Sequence, residues 1–143
     1  MEPTYANTLI SVADDCPVGS SKRPEPRGGQ PTVAMLQYAM VAEEPFTHTM
    51  GDVLFGVWLQ RQHPDGEAEA LAPDEVAALR EGFFAKDQPC LRTSPLAKTH
   101  GWGFVFDGEG RVALCPMESD EYAAHLADGA LTVRPAMRSK RAR

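Results

Sequence analysis

Trp102-Gly-Phe-Val-Phe-Asp107 and Arg111-Val-Ala-Leu-Cys115 flank Gly108-Glu109-Gly110. Two short runs rich in β-branched and aromatic residues on either side of a glycine-rich tip make a β-hairpin. This is the sharpest local signal in the chain, and it sets one antiparallel pair. Upstream, Ser94-Pro95 places an N-cap before a proline at the first helical position, and Gly101 stands where such a helix would end. A short helix over 95–100 therefore leads into the hairpin. Downstream, Ser119 caps a helix from about Asp120 to Ala127, with Tyr122 and Leu126 expected inward. Leu131–Pro135 (LTVRP) reads as a last strand.

Toward the N-terminus, Asn7–Ala13 (NTLISVA) is a β-rich run. Pro17 cannot continue a ladder, which suggests a first strand at a sheet edge. Three helices are expected in between. Thr32–Glu44 carries a stripe of Val33, Leu36 and Met40. Met50–Gln62 follows a capping-box pattern, Thr49 with Asp52, and shows an apolar face of Met50, Val53, Leu54, Val57 and Trp58. A strand reading through Val53, Phe55, Val57 and Leu59 competes with it. The third helix opens at Pro73-Asp74-Glu75, with Val76, Leu79 and Phe83 on its face. Residues 18–31 and 63–72 read as mobile loops. The fold class that follows is α+β: a single domain over 1–135, with a small, largely antiparallel sheet packed against several helices. Residues 136–143 read as a basic tail.

Composition narrows the function classes. A chain of 143 residues buries roughly two-thirds of its unfolded surface without disulfides or metals. Its 43% apolar and 24% charged residues are ordinary globular values. The longest strongly apolar run, Val53–Leu59, is far short of the roughly twenty residues a spanning helix needs, so no membrane segment is expected. Met1-Glu-Pro-Thr-Tyr5 has no basic start followed by an apolar stretch, so no secretory signal is expected. Cys16, Cys90 and Cys115 form no CxxC pair and are odd in number, which points to reduced thiols in a cytoplasm. Net charge is −6, yet residues 134–143 hold five basic residues and no acid. The body is thus strongly acidic and repels phosphate backbones, so nucleic acid is not the expected partner.

Chemistry-bearing residues are densest between Cys90 and Trp102. Arg92, Lys98 and His100 supply positive charge, Ser94 supplies a hydroxyl at a helix start, and Trp102 supplies an aromatic wall. If they converge, they form a pocket for a small anionic ligand. The bland alternative has Ser94 only as a cap and Trp102 only as core. A sharper alternative makes Cys90 a nucleophile with His100 as its base, although no cysteine-hydrolase signature is present. A third is a homodimeric interaction module. His48, His63, His100 and His125 show no HxxxH or HExxH spacing, so no metal is expected. Without a phosphate-binding loop or dinucleotide fingerprint, no cofactor is expected either.

Four stretches together carry a resemblance: Asn7–Pro17, Asp52-Val-Leu-Phe55, Cys90–Gly103 and Ala136-Met-Arg-Ser-Lys-Arg141. Over nearly its whole length the chain resembles a family of small bacterial proteins classed as a domain of unknown function. The resemblance implies a bacterial, soluble, single-domain protein. It implies no reaction, ligand or catalytic residue.

Overall fold

In the computed structural model, which describes residues 2–139, the hairpin forms as β2 (Trp102–Phe106) antiparallel to β3 (Val112–Pro116), with Phe104 opposite Leu114. Its turn closes on Asp107, whose carboxylate accepts from the N–H groups of Glu109 and Arg111 at 2.9 Å each. Gly110 completes the turn at φ +80°, a left-handed conformation that glycine adopts without steric cost.

Two more strands join through long-range pairing. β1 (Thr8–Ser11) runs antiparallel to β2, and β4 (Thr132–Pro135) runs parallel to β1, giving the order β3-β2-β1-β4. The first strand is therefore interior, not at an edge, and both Leu9 and Ile10 are fully buried. Pro17 does not bear on this, because the strand has ended by Ser11 and its second ladder is supplied by residues far along the chain. The sheet is mixed and mostly antiparallel, and the fold is α+β.

The helices are α1 (Val33–Glu43), α2 (Met50–Gln62), α3 (Pro73–Phe84), α4 (Pro95–Thr99) and α5 (Asp120–Ala127). One face of the sheet, with Ile10, Phe104, Phe106 and Val112, packs against α1, α2 and α4. The other face, with Leu9, Val105 and Ala113, is covered by Tyr122 of α5. The Tyr122 hydroxyl also accepts from the Val12 N–H at 2.9 Å. Leu126, expected inward, is 46% exposed, because this eight-residue helix meets the sheet chiefly through Tyr122.

Two helix faces differ from the sequence reading. In α1 the buried residues are Ala34, Gln37 and Val41, one position round from the expected Val33, Leu36 and Met40. That helix is apolar on nearly every side, so periodicity alone could not select the face. In α2 Met50 and Gly51 are buried in the first turn, and from there the buried set alternates: Val53, Phe55, Val57 and Leu59. The helix is covered on two sides. Met50 and Val53 enter the main core, while Phe55 and Leu59 join Phe84 of α3 in a second cluster. Two i,i+4 faces interleaved in this way produce the period-two pattern that imitates a strand.

The residues that follow β4 are tied in. Ala136 is 4% exposed and its N–H bonds the Ser11 carbonyl, and the Met137 N–H bonds the Arg92 carbonyl. Lys140, Arg141 and Arg143 of the expected tail lie outside the described residues. Among the described residues no helix is long and apolar enough to cross a membrane.

The α2 capping box is complete. The Thr49 hydroxyl accepts from the Asp52 N–H at 3.1 Å, and Asp52 Oδ2 accepts from the Thr49 N–H at 2.9 Å. The other Asp52 oxygen meets Arg80 of α3 at 2.9 Å, and Arg80 also grips Glu2 at 2.6 Å. Burial pushes the Asp52 carboxyl up, but the Thr49 N–H and the Arg80 guanidinium outweigh it and hold it below its ordinary value. A depressed folded-state value stabilises above the unfolded carboxylate value of about 3.9 and is lost as pH falls through the folded value. Thermal midpoints should therefore drop as acid protonates this group, and Asp52→Asn should flatten that acid limb. An unchanged acid slope in the variant would show that Asp52 does not contribute.

Candidate functional site

The segment ahead of β2 is anchored by Leu91, Leu96 and Ala97, all fully buried. Ser94 caps α4: its hydroxyl accepts from the Leu96 N–H at 3.2 Å. Its single proton goes to the Gln37 side-chain carbonyl, Oε1, of α1. That pairing orients the Gln37 amide and leaves its Nε2 with no hydrogen-bond partner among the described residues. Gly101 ends the α4 turn at φ +78°, as its place after the helix requires.

The expected site residues go to different places. Arg92 Nε donates to the Pro135 carbonyl at 2.7 Å, so this guanidinium staples β4. Lys98 is half-buried and has no ion pair or hydrogen bond from its side chain among the described residues. Trp102 Nε1 donates to the Lys22 carbonyl at 2.8 Å, and its ring meets Tyr38 edge-on at 5.2 Å. His100 Nδ1 lies 3.0 Å from the Pro95 carbonyl and 2.9 Å from the Thr99 hydroxyl. A carbonyl only accepts, so Nδ1 carries a proton and Nε2 is left without a partner among the described residues.

Two adjoining clefts open against this segment. The first, of about 500 Å³, takes Cys90, Ser94 and Gln37. The second, of about 1240 Å³, takes His100. Neither takes Arg92, Lys98 or Trp102. The clefts share Val33, Arg61 and Pro95.

The second cleft is where cations gather. Lys22, Arg23, Arg27 and Arg61 line it, with His100 beside them and Glu25 as its acid. The 18–31 loop makes contacts at several points. The Lys22 N–H donates to the His100 carbonyl at 2.9 Å, and Ser21 bonds Glu118 at 2.7 and 2.8 Å. Arg23 lies 5.7 Å over the Tyr38 ring and donates from Nε to its hydroxyl. Arg27 and Gln30 close a small bridge across Gly28 (φ +62°) and Gly29 (φ +78°), the two positive angles a type I′ turn needs. Beside them lies the first turn of α1, capped by Thr32 and free of acids. The cationic run Lys22-Arg23-Pro-Glu-Pro-Arg27 was visible in the sequence, but a Pro/Gly-rich loop gave no sign of where it folds. Arg61 and Gln37 had no local signal at all.

One protein-family model, described as "Family of unknown function (DUF6157)", matches residues 1–142. The chain belongs to DUF6157. No curated protein and no solved structure matches this DUF6157 chain.

No hydrogen bond joins Cys90 to His100 in this chain. Cys90 Sγ lies 3.4 Å from the Tyr5 hydroxyl, while His100 Nδ1 is engaged by Pro95 and Thr99. Burial, then the Cys90 contact, push the Tyr5 phenol above its ordinary value, so it stays protonated at neutral pH and is no base for the thiol. Among the described residues no group of three or more His, Cys, Asp or Glu is placed to hold a metal ion.

Proposed function

We propose that this protein binds a small anion-bearing molecule in the cleft between the 22–32 loop, the start of α1, the end of α2 and the end of α4. One observation carries the reading. In a chain of net charge −6, four cationic side chains and a histidine line one cleft beside a single acid. Lys22, Arg27 and Arg61 have no ion-pair partner among the described residues, so their charge is not spent within the fold. The N–H groups opening α1 add to the positive potential. We place the protein in a reducing cytoplasm, a reading supported by its three free thiols.

Thermal melting in inorganic phosphate, sulfate or citrate, matched to chloride at equal ionic strength, tests this. A bound anion raises the midpoint with the logarithm of its concentration above Kd, by about 2.7 kcal/mol of stability at a hundredfold excess over Kd. If no anion at millimolar concentration does better than chloride, the cleft is not an anion site.

A further inference from the structure

We infer that the ligand carries its anionic group on a flat ring that bears a hydrogen-bond acceptor, and that the first cleft seats this ring with Gln37 as the residue that selects it. The inference rests on the anion reading of the neighbouring cleft and adds the ligand class.

Gln37 is 5% exposed, and its Oε1 is used by Ser94. Its Nε2 has no partner among the described residues, yet none of their side-chain nitrogens or oxygens is both sealed from solvent and unpartnered. The amide nitrogen must therefore open onto the cleft that Gln37 lines. Two N–H donors on a nearly buried amide call for an acceptor, such as a carbonyl oxygen or a ring nitrogen, and reject a donor. The fold uses only the oxygen of this amide, for the Ser94 hydroxyl, and leaves both N–H donors to the cleft.

The rest of the cleft suits a ring. Trp58 and Phe83, with centroids 5.2 Å apart, and Leu54 form an apolar wall. Its volume of about 500 Å³ falls in the range of small-molecule sites. Arg61 belongs to both clefts, so a ring resting on Trp58 would have its carboxylate or phosphate directed toward the cationic side.

The test uses three probes on the whole protein: nicotinate, which has ring nitrogen and carboxylate; benzoate, which lacks only the ring nitrogen; and inorganic phosphate. Nicotinate should change tryptophan emission, and Trp58→Phe should remove that change. It should bind roughly 2- to 10-fold tighter than benzoate, the worth of one hydrogen bond. In Gln37→Met the two should bind alike, with phosphate binding unaltered. Should that variant fail to fold, alkylation of Cys90 in the unmutated protein decides: nicotinate should slow it more than benzoate does, and phosphate should not. If phosphate binds but nicotinate and benzoate cannot be told apart, the ring site is wrong and the anion site stands. If nicotinate alters Trp58 emission while phosphate does not bind, the ring site survives and the anion reading falls. If none of the three binds, both are wrong.

Discussion

Arg61→Glu abolishes the anion-dependent rise in thermal midpoint and leaves the fold intact. Arg61 is exposed in the last turn of α2 and has neither an ion pair nor a side-chain hydrogen bond among the described residues. Its only structural contribution is a favourable charge near a helix C-terminus, worth roughly 0.3–1 kcal/mol. Its contribution to binding is larger, because it lines both clefts. A hydrogen bond to a charged partner contributes about 1.5–3 kcal/mol, so the neutral Arg61→Gln should weaken anion binding roughly 10- to 100-fold. Reversing the charge should remove binding altogether. Calorimetric titration with the tightest anion found above measures this. Arg111→Gln is the control, since Arg111 sits at the hairpin beside Glu109 and lines neither cleft. Equal loss in both variants would mean that the effect is diffuse charge and not the cleft.

Ser94→Ala should cost roughly 2–4 kcal/mol of stability. The hydroxyl does two things at once, capping α4 and donating to Gln37 from a site only 2% exposed. Loss of an N-cap costs about 0.5–2 kcal/mol, and an orphaned buried acceptor about 1–3 kcal/mol more. For a chain of this size the midpoint should fall by roughly 10 °C. Adding Gln37→Leu should recover part of the loss, because the second substitution removes the orphan that the first created. A double-mutant cycle by denaturant unfolding reads the coupling. Strict additivity would show that the two side chains do not act as a unit.

Ser94 also marks the boundary between what was legible and what was not. Its role as a cap was plain from Ser94-Pro95, since a cap bonds an N–H two residues away. Its bond to Gln37 spans 57 positions, and nothing near either residue announces it. The candidate site divides in the same way. Cys90, Ser94 and His100 were singled out and do line the clefts, but Arg92 and Trp102 are engaged elsewhere, with the Pro135 and Lys22 carbonyls. The residues that replace them, Lys22, Arg23, Arg27 and Arg61, come from a loop and a helix end distant in sequence.

The sequence by itself determined the hairpin, the capped starts of α2, α4 and α5, and the overall α+β class. Each depends on hydrogen bonds or φ angles within a few residues, so the local residue types suffice. Only the tertiary structure decided that β1 lies inside the sheet, that α2 is covered on two sides, that α1 turns Gln37 inward, and that scattered cations meet over one cleft. Those outcomes depend on which distant surfaces come together, and the free energy of burying them is a property of the pair rather than of either segment.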